Sequence, residues 1–279
     1  MKNSIRFNIK IIFTLVVLWN ISCSKETGSP DNSLTNLPKD EGGLLKPVYY
    51  NSAENLYGYY VYTPSTYVPN KFLYPLLISL HGTGEIGNSM TDTTALKKLL
   101  NNGLPYLIKN KKWAPRYPVI VVSPQCHDSW WDAKKIHQFI GYIINNYSIN
   151  THRIYLTGLS MGGYGTYSYV ETCSDTGYVA AVVPICGGGN KGLASKYQHI
   201  PLWAFHGDAD NTVLPSNSID MVNAINALNP AVKAKLTIYP GVGHDSWSRT
   251  YDGSGMGTES KSYDAFDMNI YDWMFQYTK

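Results

Sequence analysis

Residues 153–165 read Arg-Ile-Tyr-Leu-Thr-Gly-Leu-Ser-Met-Gly-Gly-Tyr-Gly, and they are the most informative part of the sequence for the fold. A short apolar run leads into the pattern Gly-x-Ser-x-Gly, which has Ser160 at its centre. A serine hydroxyl is a weak nucleophile, so it must protrude from a sharp turn where a base can reach it. The small residues Gly158 and Gly162 permit the close backbone approach of such a turn. The stretch therefore predicts a strand–turn–helix unit that presents Ser160 as a nucleophile.

The same unit predicts where negative charge would be stabilised during the reaction. The helix that follows the serine directs its first N–H groups towards the reacting carbonyl, so we expect the N–H of Met161 to be one donor. A second donor is expected from the sequence LHGTGE at residues 80–85, where Gly82 or Thr83 offers a backbone N–H. We expect Glu85 to fix this loop through backbone hydrogen bonds rather than to act as an acid catalyst.

The base should follow the nucleophile in the chain, since the order in this arrangement is serine, acid, histidine. The chain has seven histidines. His244 lies in a glycine-rich loop after the last apolar run, where the base belongs. His81 and His206 each end an apolar run and precede a glycine, positions at which histidine more often has a structural role.

Two aspartates compete for the acid in the sequence FHGDADNTV at residues 205–213. Asp210 is the better candidate because it lies further into the loop, just before the residues that enter the next helix. Asp208 then has the usual role of an aspartate in a turn. The acid would hold the tautomer of His244 and stabilise its imidazolium without taking the proton.

Short apolar runs alternate with amphipathic helical periods along the chain, which indicates a parallel sheet covered on both faces. One predicted helix has Ile136, Phe139, Ile140, Ile143 and Ile144 on one face. A second predicted helix has apolar residues at a spacing of three or four from Tyr263 to Tyr277. The predicted strands are Tyr59–Tyr62, Leu76–Leu80, Val119–Val122, Ile154–Thr157, Val179–Val183, Leu202–Phe205 and Leu236–Tyr239. The fold class is α/β.

The N-terminus resembles a secretory signal. Three basic residues precede the apolar run 11–19, which is too short to span a bilayer. Ser22-Cys23 resembles the end of a bacterial lipobox, although Asn20 departs from the apolar residue usual there. The resemblance implies a signal peptide at 1–22 and lipid on Cys23. The predicted location is the cell envelope of a Gram-negative bacterium, at the outer membrane or cell surface.

Composition separates a tether from one folded domain. Residues 23–45 are rich in Ser, Gly, Pro, Asn and acids, which predicts a flexible tether, and residues 46–279 form a single domain. Three of the 23 Lys and Arg precede the apolar run, so the remainder balances its 20 acids. A neutral body without basic clusters argues against a nucleic-acid partner.

Cysteine spacing gives no metal signature. Cys126, Cys173 and Cys186 allow at most one disulfide with one thiol left over, and the sequence does not choose among the pairings. No CxxC or HxxxH cluster occurs, so a structural zinc site is not expected.

Five motifs in order are similar to those of α/β-hydrolase esterases, in particular polyhydroxybutyrate depolymerase-like and feruloyl esterase-like enzymes of carbohydrate esterase family 1. They are LHGTGE, the SPQ-plus-Trp loop, GLSMGGYGT, HGDAD and GVGHDSW. The resemblance covers residues 50–279 and implies an α/β-hydrolase fold with helices on both faces of a mostly parallel sheet. It also implies a serine carboxylesterase that needs no metal or organic cofactor. Ile86 departs from the arginine often found after the loop glutamate.

The resemblance is less specific for substrate. We expect a feruloyl or acetyl ester on plant polysaccharide, and we expect Trp247, Trp130, Trp131 and Gln125 to contact it. A peptidase or a polyester depolymerase is the alternative on the same fold. A non-catalytic carbohydrate-binding protein is the alternative from another class, but the complete set of Ser160, Asp210 and His244 argues against it.

Overall fold

The computed structural model describes residues 34–279, in which eight strands form one sheet. The sheet has the order β1-β2-β4-β3-β5-β6-β7-β8. Strand β2 is antiparallel to β1 and β4, and all the other neighbours are parallel. The strands are β1 (Leu44–Val48), β2 (Gly58–Thr63), β3 (Tyr74–Leu80), β4 (Ile120–Gln125), β5 (Ile149–Leu159), β6 (Ala181–Ile185), β7 (Trp203–Gly207) and β8 (Lys235–Tyr239).

Six α-helices lie in the described part of the chain. They are α1 (Gly103–Lys109), α2 (Ala133–Asn146), α3 (Met161–Cys173), α4 (Ser216–Asn226), α5 (Trp247–Tyr251) and α6 (Ile270–Met274). Helix α2 shows why the sequence forms a helix here. Asp132 caps it by accepting the N–H of Lys135, and four of its five predicted apolar positions are buried, with Ile144 partly buried.

The core lies on both faces of the sheet. Successive residues of β3 point to opposite faces, so Leu76 and Ile78 pack in one apolar cluster and Leu77 packs in the other. Burial on both faces explains why the central strands read as continuous apolar runs. The predicted fold class is confirmed: this is an α/β-hydrolase fold.

The seven predicted strands are all present, whereas β1 has no counterpart among them. Its sequence contains Pro47, and the strand lies at the edge of the sheet with no fully buried residue. An edge strand tolerates a proline and needs no apolar run, so it leaves a weak signal. The predicted boundary at residue 46 therefore differs from the structure, in which β1 begins at Leu44. Further upstream, Asp40 accepts the hydroxyl of Tyr62 at 2.6 Å.

The predicted C-terminal helix is much shorter than its apolar spacing indicates, since α6 covers only five residues. The preceding segment lies along the edge strand β8 instead. Asp264 donates its N–H to the carbonyl of Leu236 at 2.8 Å and accepts the N–H of Leu236 on its carboxylate at 2.8 Å. These bonds satisfy groups that an edge strand would otherwise expose. The apolar residues of this segment are buried without forming a helix, as Phe266 shows at 1 % exposed.

Within residues 34–279, no helix is both long enough and apolar enough to cross a membrane. The predicted signal peptide at 1–22 and Cys23 lie outside the described residues.

Candidate active site

The turn between β5 and α3 holds Ser160 in a backbone conformation that L-residues seldom adopt, with φ 53° and ψ −117°. A Cβ at Gly158 would lie 2.2 Å from the carbonyl oxygen of Gly162, and a Cβ at Gly162 would lie 2.2 Å from that of Leu80. Only glycine fits at these two positions. Ser160 itself donates its N–H to Ile185 on the neighbouring strand at 3.0 Å, which ties the turn to β6.

Three side chains predicted from the sequence meet at this turn. The Oγ of Ser160 donates to Nε2 of His244 at 2.9 Å, and Nδ1 of His244 donates to Oδ2 of Asp210 at 2.7 Å. His244 follows β8, and Asp210 follows β7, so both arrive from the carboxyl ends of neighbouring strands. The result is a continuous hydrogen-bonded chain from hydroxyl to imidazole to carboxylate.

The carboxylate of Asp210 is buried, at 1 % exposed, and is held on both oxygens. Its Oδ1 accepts the N–H groups of Thr212 and Val213, each at 2.9 Å. Burial on its own would raise the pKa of Asp210, but the hydrogen bonds from His244 and from these two N–H groups outweigh burial and lower the pKa. Asp210 is therefore ionised at neutral pH, and Nδ1 of His244 must carry the proton between them.

The competing aspartate lies outside this chain of bonds. Asp208 is exposed, and its carboxylate accepts the N–H of Gly241 at 2.7 Å. This is a turn contact between two loops, the role expected of it.

The loop after β3 departs from one expectation. The N–H of Gly82 donates to Oε2 of Glu85 at 3.1 Å, so the prediction that Gly82 offers an oxyanion donor is wrong. A short 3₁₀ turn begins at Thr83, whose side chain is exposed, and this leaves the N–H of Thr83 as the donor expected from the loop. Gly82 is nevertheless close to the nucleophile, since its Cβ would lie 3.5 Å from the Cβ of Ser160.

Glu85 has the supporting role that the sequence predicts. Besides Gly82, it accepts the side-chain amide of Asn102 at 2.7 Å. Burial raises the pKa of Glu85, and the hydrogen bonds from Asn102 and Gly82 oppose this rise. Glu85 connects the loop to the residues just before α1.

His81 is a neutral, buried residue that also stabilises the loop after β3. Its Nδ1 donates to the carbonyl of Gly82 at 2.5 Å, and its Nε2 accepts the N–H of Cys126 at 2.8 Å. Burial lowers the pKa of His81 to about 4. The structural role expected for this histidine is therefore confirmed.

Two of the predicted substrate contacts are wrong, because the side chains are buried. Trp131 is 2 % exposed and donates its indole N–H to the carbonyl of His81 at 3.1 Å. Gln125 is 1 % exposed and donates its amide to the carbonyls of Glu85 and Ala95. Both side chains stabilise the loop after β3 through these hydrogen bonds, and their burial prevents contact with a substrate.

The other two tryptophans lie where a substrate would approach. Trp130 is 49 % exposed, and its ring lies 5.7 Å from that of Tyr164, which is in the first turn of α3. Trp247 is half-buried and meets the His244 ring edge-on, with ring centroids 5.3 Å apart. An aromatic pair thus lies at the start of the helix that follows the nucleophile, and an aromatic ring lies beside the base.

All three cysteines in the described residues are free and buried. Cys186 ends β6, and its Sγ lies within 4.8 Å of ligand atoms of Asp210 and His244. Among residues 34–279, these three residues form a group that could hold a metal ion. The atoms of Asp210 and His244 that face each other are already hydrogen-bonded. Burial raises the pKa of the Cys186 thiol to about 12, which keeps it protonated.

One neighbour of the site was not predicted. His206, in the sequence HGDAD, is fully buried, and its Nε2 lies 3.2 Å from Oδ2 of Asp210. The signal was its position four residues before the candidate acid, at the end of β7. Its position at the end of an apolar run and before a glycine predicts a structural role, but it does not reveal the contact with Asp210.

A known protein resembles about half of this chain in sequence, and solved structures resemble most of it in fold. A bifunctional acetylxylan esterase/xylanase from Neocallimastix patriciarum is 33% identical over 163 residues, which are 55% of this chain and 21% of that protein. The chain thus matches about a fifth of that relative's length. Among solved structures, a thermostable esterase superposes with a TM-score of 0.62 and 25% identity, covering 85% of this chain and 63% of the other.

A mutant of the feruloyl esterase module from Clostridium thermocellum, complexed with sinapinate, superposes with a TM-score of 0.57 and 20% identity. The match covers 81% of this chain and 89% of the other, and at this identity it shows the fold alone. The profile of the dienelactone hydrolase family matches residues 130–275, which include Ser160, Asp210 and His244. Since that range is more than half of the chain, the protein belongs to the dienelactone hydrolase family.

Proposed function

We propose that this protein is a serine carboxylesterase. The observation that carries the proposal is the unbroken chain of hydrogen bonds from Ser160 through His244 to Asp210, on a strained turn at the carboxyl edge of the sheet. A hydroxyl paired with an imidazole, which is itself oriented by a buried carboxylate, is the arrangement of an activated nucleophile.

The reaction would proceed through an acyl-enzyme. Oγ of Ser160 attacks the ester carbonyl while Nε2 of His244 takes the hydroxyl proton, and His244 then gives that proton to the leaving alcohol. Water, which gives a proton to His244, then attacks the acyl-enzyme, and the carboxylic acid is released as Ser160 takes its proton back. Asp210 holds Nδ1–H of His244 and stabilises the imidazolium that forms in each half of the reaction.

The carbonyl oxygen becomes negatively charged in both halves of the reaction. The N–H of Met161, at the start of α3, and the N–H of Thr83 are the proposed donors to this oxygen. Glu85 supports this role indirectly, because it fixes Gly82 and hence the backbone that leads into Thr83.

For the substrate we propose a feruloyl or acetyl ester on a plant polysaccharide. The acetylxylan esterase named above supports this choice, and so does the exposed aromatic surface of Trp130 beside α3. A cleft of about 380 Å³, with polar and apolar residues in its lining, also supports the choice of a sugar-linked ester. The cleft lies between the region of α1 and the short helix α5 that follows His244. Its polar lining residues include Asn101, Asn102, Tyr106, Lys112, Ser248 and Asp252.

Four substrates on the purified protein test the proposal: methyl ferulate, acetylated xylan, p-nitrophenyl acetate and a peptide amide. We expect hydrolysis of the esters, with kcat/KM for one of the first two above that for p-nitrophenyl acetate. Preferred cleavage of the amide would identify a peptidase. Absence of any turnover, together with binding of xylan, would indicate a non-catalytic carbohydrate-binding protein.

A variant pair tests the aromatic contact. Loss of one stacked ring costs about 1 kcal/mol, so Trp130→Ala should raise KM for methyl ferulate or acetylated xylan about fivefold. The KM for p-nitrophenyl acetate should stay unchanged, and Trp130→Phe, which keeps an aromatic face, should behave almost like the parent protein. Equal changes on both substrates would make Trp130 part of the scaffold.

We also propose that Cys23 carries lipid and anchors the protein to the outer membrane or cell surface. The order of basic residues, apolar run and Ser22-Cys23 supports this proposal. In cells, Cys23→Ala should move the protein from the membrane fraction to the soluble fraction with its kcat unchanged. If the parent protein is soluble and takes up no labelled fatty acid, the anchor proposal is wrong.

A further inference from the structure

His206 lies beside the candidate acid, with Nε2 3.2 Å from Oδ2 of Asp210. It is the fourth residue of β7 and precedes Asp210 by four residues. Its side chain has no exposed surface, and neither does the Asp210 side chain. Two histidines therefore contact one buried carboxylate, and only His244 has a role in the proposed reaction.

The contacts of the His206 ring assign its protons. Nε2 lies 3.2 Å from Oδ2 of Asp210 and 2.9 Å from the carbonyl of Val213, and both of these groups accept hydrogen bonds. Nε2 must therefore carry a hydrogen. Nδ1 lies 2.8 Å from the hydroxyl of Ser218 on α4, which can donate to it.

A neutral ring is compatible with these partners: its one N–H, on Nε2, is shared between Val213 and Asp210, and Nδ1 accepts from Ser218. The hydroxyl of Ser218 has a second acceptor, the carbonyl of Gly187, at the longer distance of 3.2 Å. Burial lowers the pKa of His206, even though Val213 and Asp210 oppose this change, so the ring is neutral at pH 7. His206 is thus an uncharged ring whose Nε2–H donates to the carbonyl of Val213 and also lies next to Oδ2 of Asp210.

We propose that His206 is a positioning residue for the acid, and that its Nε2–H fixes Oδ2 of Asp210 opposite His244. Oδ1 accepts two backbone N–H groups, and Oδ2 accepts Nδ1–H of His244 with Nε2 of His206 3.2 Å away, so contacts on both oxygens oppose rotation of the carboxylate. Sharing Oδ2 between two donors also spreads its charge and moderates its attraction for the imidazolium. The kinetic part of this inference rests on the proposed esterase function.

Removing His206 should therefore change the pH profile, provided that no other group near Asp210 titrates in the same range. Cys186 approaches Asp210 from the end of β6, and Tyr164 approaches it from α3. Burial raises the pKa of Cys186 to about 12 and also raises the pKa of Tyr164, with the charge of Asp210 as a smaller cause. Neither group changes its charge between pH 5 and pH 8.

Two substitutions separate positioning from packing. In His206→Asn the amide reaches the position of Nδ1, so it keeps contact with Ser218 and loses Asp210. In His206→Gln the amide reaches the position of Nε2 and retains a donor for Asp210. A residue that matters only for packing would be disturbed by both changes, whereas a donor to Asp210 is lost only in the asparagine variant.

We expect His206→Asn to lower kcat for p-nitrophenyl acetate about tenfold, the effect of losing one hydrogen bond to a charged group, with KM changed less than twofold. The acid limb of its kcat/KM profile should move up by about half a pH unit, because the unshared carboxylate favours the protonated imidazole. His206→Gln should keep the parent limb and most of kcat. Equal loss in both variants, or an unmoved limb in His206→Asn, would overturn the proposal.

A measurement on the unmodified protein covers the case in which the asparagine variant does not fold. NMR of protein labelled with ¹⁵N-histidine should show one buried ring that is neutral and protonated on Nε2 only at pH 7. A charged ring, or one protonated on Nδ1 only, would refute the assignment. This arm needs no substrate, so it stands or falls independently of the esterase proposal.

Discussion

At the scale of single residues, the two aspartates of the HGDAD sequence show how burial assigns chemistry. They are two positions apart and have the same side chain. Asp210 is buried, accepts three hydrogen bonds and faces His244, while Asp208 is exposed and contacts only a loop N–H. The position along the loop was enough to prefer Asp210, but the sequence contains nothing that reports its partners on Oδ1.

This contrast gives a prediction. Asp210→Asn should lower kcat for p-nitrophenyl acetate about 10⁴-fold, because an amide holds His244 in the wrong tautomer. Asp208→Asn, the matched control, removes one exposed turn contact and should change kcat less than about twofold, since exposed positions seldom matter. Both proteins should be checked by thermal melting. A larger loss in Asp208→Asn would exchange the two assignments.

His81 gives a prediction for stability at acid pH. The folded protein keeps this ring neutral, since a proton on Nε2 would face the N–H of Cys126, whereas the unfolded chain takes up the proton near pH 6.5. The unfolded state therefore binds more protons between pH 6.5 and the folded pKa of about 4, and stability falls as the pH drops through this window.

The loss attributable to His81 should reach about 3 kcal/mol, the equivalent of this shift in pKa. Urea unfolding at several pH values measures it. His81→Asn removes the titrating group, so its free energy of unfolding should decline less between pH 6.5 and pH 4 than that of the parent protein. Identical slopes for the two proteins would show that the His81 ring is not kept neutral by the fold.

At the scale of elements, the turn between β5 and α3 depends on backbone contacts that leave no room for a side chain. Gly158→Ala would place a methyl group 2.2 Å from a carbonyl oxygen of the following helix, so β5 and α3 would have to separate. Overpacking of this kind should destabilise the protein by about 3 kcal/mol in urea unfolding.

Gly84→Ala is the control for this change, since its Cβ would meet no atom within 4 Å and its φ is not positive. Its stability should stay within about 0.5 kcal/mol of the parent. If Gly158→Ala were as stable as this control, the tight turn described here would be incorrect.

Elements also show where sequence reasoning fails. The 3–4 apolar spacing after Tyr263 indicates a long helix, but the bonds between Asp264 and Leu236 place that segment along an edge strand. Apolar spacing reports which residues are buried, and it does not report whether the backbone groups of a neighbouring strand need partners. The central parallel strands were predictable because burial on both faces leaves continuous apolar runs.

The same limit applies to adjacent aromatic residues. Trp130 and Trp131 are neighbours in one loop, and only the first is exposed. Gln125 is polar and still buried, because Glu85 and Ala95 provide acceptors for its amide. Which of several loop side chains faces the solvent depends on contacts with other loops, and these are not visible in a short motif.

At the scale of the whole molecule, the fold explains why the site could be found from sequence at all. Parallel strands bring their carboxyl ends to one edge, so the loops that follow β3, β5, β7 and β8 all meet there. A serine, an aspartate and a histidine that are 84 residues apart at the extremes thus lie within hydrogen-bond distance. The order of motifs along the chain was sufficient to predict this meeting.

The central claim is that Ser160 is the nucleophile, and one comparison tests it most directly. Parent protein and Ser160→Ala are treated with a fluorophosphonate probe and assayed on p-nitrophenyl acetate, after melting curves show that both are folded. We expect covalent labelling of the parent alone and a loss of about 10⁶-fold in kcat for Ser160→Ala. Labelling of Ser160→Ala, or activity in that variant near the parent level, would contradict it.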